Sequence, residues 1–311
     1  MPREQLVYMP LSILKVSHIA GVVALTLAFS AQGATESARE PRVRLIPRLH
    51  VNETLTYRVH YRVERNVKAD SRVVAPIAPP AQPIDLLRTI RVEVLEVATG
   101  PEAPGIRLRA EIAPSDSASK DDAKAVQFAI DGAGNIITSE GLEFLASDER
   151  ELWSDWVERF AAVWSLPQQL KPGEKWNSEE AISNSVIAGL VWQKESQYVR
   201  DEPCPRMSAQ PSRPADSCAV LLTSATLRQK SSAKDTTPED YKLHDLKTAG
   251  MARGTNQIIS YVSRTSGVVV RVKETAAQTM DVAISKTDGS NAVRYTIDAR
   301  SQSEILLTSI S

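Results

Sequence analysis

The 311-residue chain carries 37 basic and 38 acidic residues, a formal net charge of −1. This balance argues against a polyanion partner such as nucleic acid, which would require a clear basic excess, and against an acidic, solvating, disordered chain. The length allows one large or two modest β domains.

The N-terminus has the pattern of a secretory signal peptide. Arg3 and Lys15 lie in the N-terminal region before a short apolar core at residues 19–29, and small residues follow around Gly33. We predict that residues 1–33 are a signal peptide and that the mature protein is exported, periplasmic or extracellular, with no membrane span of its own. The alternative is an uncleaved N-terminal anchor.

The first predicted β half spans residues 49–140. Before it, residues 34–48 are polar and Arg-rich, which predicts a poorly ordered linker. Strict alternation of apolar residues from Leu55 to Val63 then predicts a long, half-buried antiparallel strand. The Pro-rich residues 66–84 predict a loop, and shorter alternating runs separated by turn residues continue to Ile137. We therefore expect a β-meander.

The stretch 141–165 predicts an amphipathic α-helix. Asp148 and Glu151 have the spacing of a capping box, and Pro167 ends the helical pattern. Gaps of three, four and seven residues place the apolar side chains on one stripe. The members of this stripe are Leu142, Leu145, Leu152, Trp153, Trp156, Phe160, Val163 and Trp164. Such a stripe must be buried against a large surface.

The second predicted β half spans residues 166–311 and contains the chain's two cysteines. Cys204 and Cys218 enclose a Pro- and Ser-rich loop. An exported protein favours a structural disulfide between them, whereas a metal site would require further soft ligands close by. The charged stretch 230–242 predicts a solvated loop. Further alternating runs follow, with Asp288-Gly289 as the turn of the last hairpin.

Two short matches suggest an internal repeat. Residues 170–176 resemble residues 49–55 in the pattern Leu-x-x-(Gly/Asn)-Glu-x-apolar, and residues 261–269 resemble residues 128–136. The two offsets differ, so the second copy would need an insertion of about the length of the Cys204–Cys218 loop. We hypothesise two related meander halves.

The fold expected from these elements is mainly β. The long strands need a cover for one face, and the helix at 141–165 is the candidate that the sequence offers. We predict a strongly curved antiparallel sheet, or a partly open barrel, with this helix packed on its apolar face.

The residues that follow the helix carry a resemblance to a family. Leu166-Pro167 and then the run Lys171-Pro172-Gly173-Glu174-Lys175-Trp176 resemble uncharacterised exported bacterial β-rich proteins with the pattern LP…(K)PG(E/D)xW. Those proteins are in turn similar to the lipoprotein-carrier fold, an open β-half-barrel whose concave face holds acyl chains. The resemblance implies an apolar ligand, although no functional residue of the carriers has a matching position here.

The chain lacks the common catalytic motifs, so we predict a non-catalytic protein without a cofactor or a metal. His60 lies among charged residues on the polar side of its strand, where a solvated histidine is expected. The acidic pairs Asp121-Asp122 and Glu179-Glu180 could in principle serve glycosidic chemistry. Adjacent residues of a strand point to opposite faces, however, and neither pair can enclose one bond by itself.

Three functions remain open. The first is binding of a lipid or acyl chain between sheet and helix, in a cavity lined by Trp153, Trp156, Phe160, Trp164 and Trp176. Ordinary core packing, or stacking on sugars, are the alternatives for this set. The second is a structural or protein-interaction module of the cell envelope that uses exposed strand edges. The third is a hydrolase with no recognisable motif.

Overall fold

The computed structural model describes residues 42–70, 82–98, 105–114, 123–182, 185–205, 216–230 and 236–311. The predicted signal peptide and residues 34–41 of the predicted linker lie outside these ranges. In the described part, eleven strands form a single antiparallel sheet. The two predicted β halves therefore belong to one sheet.

The strands are β1 Thr54–Asp70, β2 Ile84–Ala98, β3 Gly105–Pro114, β4 Lys124–Asp131, β5 Ile136–Glu140, β6 Lys175–Ala181, β7 Leu190–Pro203, β8 Ser217–Gln229, β9 Leu246–Ser263, β10 Val269–Lys286 and β11 Val293–Ile310. Their order in the sheet is β5-β4-β3-β2-β1-β11-β10-β9-β8-β7-β6. The sheet is not closed, and β5 and β6 are its two edges. Every residue of β5 is exposed, including Ile137.

The central strand β1 confirms the strongest alternation in the sequence. Tyr57 and Val59 are buried, whereas their neighbours Arg58 and His60 lie on the opposite side of the strand. We call the face that carries the buried residues the inner face of the sheet, and the opposite face the outer face. β1 continues to Asp70, five residues into the predicted loop, because its charged end still pairs with β11.

The helix α1, Ser147–Ala161, packs on the inner face and confirms the predicted amphipathic helix. Short 3-10 turns at Leu142–Phe144 and Ala162–Ser165 occupy the ends of the predicted range. The prediction of a capping box at Asp148 and Glu151 was wrong, because the helix already begins at Ser147. The helix is preceded by Ala146, whose backbone N–H donates to the Glu149 carboxylate at 3.2 Å. Since Ala146 has no side-chain acceptor, only this half of a capping box can form.

A second, four-residue helix, α2, spans Glu239–Lys242 inside the stretch predicted to be a charged loop. It precedes β9 directly. Residues 231–235 of that stretch lie outside the described part. No helix among the described residues has both the length and the apolar character that crossing a bilayer requires.

The segment 42–53, which we call the N-terminal strap, runs across one end of the sheet. Val43 exchanges two backbone hydrogen bonds with Leu170, at 2.7 and 2.9 Å, and the Arg48 N–H donates to the Ser266 carbonyl. Val43 and Leu45 are buried. The predicted linker therefore does not extend over residues 42–48. Alternating apolar residues dock this Arg-rich segment onto the core.

The interior contains two apolar clusters. The main cluster joins the inner face of β1–β4 to α1 and the strap. The second cluster contains Ile187, from the loop between β6 and β7, and Val282 of β10. Trp192 of β7 packs against the second cluster. The helix thus covers only part of the inner face.

The strand order is compatible with the repeat hypothesis. One pair of matched segments precedes β1 and β6, and the other pair spans the β4–β5 and β9–β10 turns. Strands β1–β5 and β6–β10 would then correspond in order, with the disulfide loop between β7 and β8. The repeat itself stays a prediction.

Candidate functional site

The aromatic stripe of α1 forms a continuous ring stack against the sheet. Trp156 is fully buried and stacks on Phe160, with ring centroids 5.1 Å apart. Phe128 of β4 meets Trp153 edge-on at 5.1 Å, and Tyr57 of β1 meets Trp156 at 5.9 Å. Edge-to-face and offset contacts of this kind are favourable beyond the area that they bury.

The outer members of the predicted ligand-lining set lie less deeply. Trp164 is half-buried and contacts Phe160 with centroids 5.4 Å apart. Trp176 belongs to the edge strand β6 and also packs against the main cluster. The structure therefore brings Trp153, Trp156, Phe160 and Trp164 together as contacting rings. Their role in ligand binding stays a prediction.

A cavity of about 190 Å³ lies on the inner face. Its walls come from four strands, β1, β7, β10 and β11, of which only β10 and β11 are consecutive in the chain. They are lined by Tyr61, Val63, Arg65, Trp192, Ala276, Gln278, Ala299 and Ser301. Tyr61 and Val63 belong to the main cluster and Trp192 packs against the second. The cavity thus lies where the two apolar clusters meet.

Small residues make room for this cavity. β-Pairing aligns Val63 with Ser301, and Ser301 with Ala276. Trp192 lies over Gly254 of β9, where an added Cβ would approach the indole Cη2 to 2.9 Å. The indole reaches across β8 to this position because β9 carries no side chain there.

Sequence reasoning missed Trp192 and the rest of the cavity lining. Trp192 follows Leu190 and Val191 in an apolar run that predicts a buried strand but gives no sign of a pocket. The available signal was the series of small residues at alternate positions of β11, Ala299, Ser301 and Ser303, together with Ala276 of β10. It becomes informative only when the register of those strands is known.

An ion pair joins the cavity to the helix. The Arg65 Nη1 donates to the Glu151 Oε1 at 3.1 Å, and the Arg65 Nη2 donates to the Glu151 Oε2. Both side chains are 33% exposed. The Tyr61 side chain lies near the same helix edge: burial raises the pKa of its hydroxyl, and the nearby Asp155 and Glu151 carboxylates raise it further.

A more deeply buried polar group lies behind this pair. Asp155 of α1 accepts a hydrogen bond from the Ser303 hydroxyl at 2.6 Å. Burial raises the pKa of Asp155 to about 7, and the negative charge of Glu274 contributes in the same direction. Asn256 donates its Nδ2 to Glu274, while its buried Oδ1 has no hydrogen-bond partner within the part of the chain that is described.

The other acidic candidates are tied into surface pairs. In β6, Glu179 pairs with Lys230 and Glu180 with Lys194. Two separate partners agree with the expectation that the adjacent carboxylates point to opposite faces. Asp121-Asp122 lies outside the described residues. Over the described ranges, no group of three or more His, Cys, Asp or Glu residues is arranged to hold a metal ion.

His60 lies on the outer face of β1, remote from the cavity-lining face. Its Nε2 is 2.8 Å from the Asp85 Oδ1, and Arg62 donates to the other oxygen of the same carboxylate. Asp85 is 61% exposed. His60, Arg62 and Asp85 therefore form a solvated hydrogen-bonded group on the outer face of the sheet.

The predicted disulfide between Cys204 and Cys218 is present. It joins the end of β7 to the start of β8, and Cys218 is fully buried in the main cluster. Next to it, the Asp216 carboxylate accepts hydrogen bonds from Ser263 and Thr265. The bridge therefore fixes the base of the loop, whose residues 206–215 lie outside the described part.

No family model and no curated protein sequence matches the chain. Among solved structures, the chain is similar to a "putative exported protein with YmcC-like fold" from Bacteroides fragilis NCTC 9343. The two share 9% sequence identity with a TM-score of 0.30, over 86% of this chain and 99% of that chain.

Proposed function

We propose that the protein is an exported, non-catalytic binding protein that holds a small amphipathic ligand, such as an acyl chain, on the inner face of the sheet beside α1. The observation that carries the proposal is the cavity between the two apolar clusters. Its lining is about equally apolar and polar, which suits a ligand that has both an apolar part and a polar group.

The chemistry of the walls suits an amphipathic ligand. Val63, Ala276, Ala299 and the Trp192 ring offer apolar contacts, whereas Arg65, Gln278 and Ser301 offer hydrogen-bond donors. A cavity of roughly 150 Å³ can hold benzene. The cavity of about 190 Å³ therefore suits a short chain, or one segment of a longer molecule that continues outside.

Binding is favoured over catalysis because the acidic groups near the cavity are engaged. Asp155 accepts a hydrogen bond from Ser303, and Glu274 is held by Arg159 and Asn256. A general acid or base needs a carboxyl that can reach a substrate proton. Carboxylates that face guanidinium groups are better placed to fix the helix on the sheet.

Two observations support export. The predicted signal peptide at residues 1–33 directs the chain out of the cytoplasm. The Cys204–Cys218 disulfide is the kind of bond that persists in oxidising compartments and is rare in the cytosol. The protein would therefore meet its ligand in the periplasm or outside the cell.

The decisive experiment compares two phenylalanine variants of adjacent residues in β10. Ala276→Phe places a ring in the cavity, whereas Ala277→Phe adds the same ring on the exposed outer face. Each protein is purified from its native compartment, and its organic extract is measured by mass spectrometry. We expect a ligand from the wild type and from Ala277→Phe, and a strong loss from Ala276→Phe. Equal recovery from both variants, or no ligand from the wild type, would refute the proposal.

A further inference from the structure

The Arg65–Glu151 pair is far more exposed than the Arg159–Glu274 pair, another of the ion pairs that tie α1 to the inner face of the sheet. Arg65 lines the cavity and its pair with Glu151 is one-third exposed on both sides. The Arg159–Glu274 pair is 12% and 5% exposed. One-third of each side chain is in contact with water, so the Arg65–Glu151 pair costs less to open than the buried Arg159–Glu274 pair.

Arg65 has the geometry to accept another anion. Its guanidinium carries five N–H donors in a planar fork, and the two hydrogen bonds to Glu151 engage one donor on each terminal nitrogen. Carboxylates and phosphates fit this fork in the same two-point manner as Glu151 does. An anionic group in the cavity can therefore take the place of Glu151.

The surroundings allow this exchange. Two further carboxyls lie near Tyr61: Glu274, which is paired with Arg159, and Asp155, whose pKa is raised to about 7 by burial and by the charge of Glu274. At neutral pH it therefore adds less than a full negative charge beside the cavity. Glu151, once released, lies at a helix position with access to water, and its charge can be solvated there.

Resting on the proposed function, we propose that the ligand is an acidic amphiphile whose carboxylate or phosphate displaces Glu151 from Arg65. Its apolar chain then lies against Val63, Ala299 and Trp192. In the exchange, Arg65 of β1 loses its ion pair with Glu151 of α1 and forms one with the ligand anion. Glu151 acts as an internal competitor, and this competition makes the proposal testable.

The test measures the binding of three probes that share one chain: octanoate, octyl phosphate and the neutral 1-octanol. Titration calorimetry on the full mature protein compares the wild type with Arg65→Gln and Glu151→Gln. The matched control is Glu195→Gln, which removes the carboxylate of the exposed Lys175–Glu195 pair of β6 and β7. The thermal midpoint of each variant reports whether it is folded.

We expect the wild type to bind at least one of the two anions about tenfold more tightly than octanol, as one charge-assisted contact would provide. Glu151→Gln should strengthen anion binding severalfold, because the competitor is neutral, and leave octanol unchanged. Arg65→Gln should abolish the preference for anions while octanol still binds. Glu195→Gln should behave as the wild type. Whichever anion is preferred identifies the headgroup.

Two outcomes would contradict the proposal, and they are distinguishable. If octanol and both anions bind equally in every variant, the cavity binds chains but Arg65 selects no headgroup, and only this inference fails. If no probe binds to the folded wild type, the proposed function fails as well.

Discussion

Arg159 of α1 and Glu274 of β10 form a two-point ion pair that is almost wholly removed from water. The Arg159 Nη2 donates to the Glu274 Oε1 at 2.8 Å, and the Nε donates to the other carboxylate oxygen. Asn256 of β9 also donates to the Glu274 Oε1. These bonds fix the helix to β10 and, through Glu274, to the neighbouring strand β9.

Replacing Arg159 should destabilise the fold strongly. Arg159→Met keeps the length and the apolar stem but leaves the Glu274 and Asp155 carboxyls buried without their cation. Loss of one partner of a buried pair costs about 3–5 kcal/mol, because a buried charge is left uncompensated. Urea unfolding followed by tryptophan fluorescence would measure this loss.

Arg294→Met is the matched control for that measurement. Arg294 pairs with Asp281 between β10 and β11, and the two side chains are 65% and 35% exposed. An exposed pair contributes about 0–1 kcal/mol. A similar loss in both variants would show that burial of the Arg159–Glu274 pair does not determine its contribution.

Asp155 should make the stability depend on pH in a direction unusual for a carboxyl. Its pKa is raised from 3.8 to about 7 by burial and then by the charge of Glu274. The folded state therefore holds this proton over a pH range in which the unfolded chain has lost it. As the pH rises from about 4 to about 7, the group lowers the free energy of unfolding by up to about 1.4 kcal/mol per pH unit.

The variant Asp155→Asn removes this titration and keeps an acceptor for the Ser303 hydroxyl. Its free energy of unfolding should fall less than that of the wild type over the same pH range. Above about pH 7 the variant should be the more stable of the two. Asp70→Asn, at the exposed end of β1, is the control for removal of a carboxylate. Parallel pH profiles for the wild type and Asp155→Asn would contradict the prediction.

The sheet and its helix were accessible from the sequence because their signals are local. Alternation from Leu55 to Val63 identifies β1, and helical spacing identifies α1 with Trp156 at the centre of its buried side. The strap was not predicted. Val43 and Leu45 are isolated among arginines, and their burial depends on Leu170 and on the turn at Ser266, both distant in the chain.

The cavity and the polar contacts of Asp155 and Arg159 depend on how the strands are aligned with one another, and composition does not reveal this register. Asp155 and Arg159 lie on what helical spacing alone assigns to the polar side of α1. They are largely withdrawn from water because β10 and β11 continue the sheet beside that edge and place Glu274 and Ser303 against it. A helix packed on a flat, narrow sheet would leave the same residues in water.

Gly267 should be essential for docking of the N-terminal strap. It has φ +70°, and a Cβ at this position would lie 2.1 Å from the Ile46 carbonyl oxygen. Gly267→Ala must therefore displace the strap in addition to straining the turn. Gly173→Ala is the matched control, because Gly173 has φ +84° but no atom within 4 Å of the added Cβ.

The control should lose about 1 kcal/mol from the left-handed backbone alone. We expect a clearly larger loss in Gly267→Ala, together with faster proteolysis within residues 42–50. Unfolding free energies and the masses of the first proteolytic fragments would measure the two effects. Equal losses in both glycine variants would mean that the strap adjusts to the added methyl group.

The disulfide should stabilise the protein chiefly through its unfolded state. Cys204 and Cys218 are separated by 14 positions, and closing a loop of this length contributes roughly 3 kcal/mol on the chain-entropy model. Cys204→Ala with Cys218→Ala should lower the free energy of unfolding by about that amount and remove all sensitivity to reductant. Wild-type protein unfolded with and without dithiothreitol gives the matching comparison.

The two cysteine positions also separate the effect of the bridge from the effect of packing. Cys218 is fully buried in the main cluster, whereas Cys204 is half-buried, so single alanine variants under reducing conditions report packing alone. Cys218→Ala should then be the more costly of the two, because it leaves a small void. If the reduced wild type were as stable as the oxidised protein, the bridge would not restrict the unfolded chain in the way that the chain-entropy model requires.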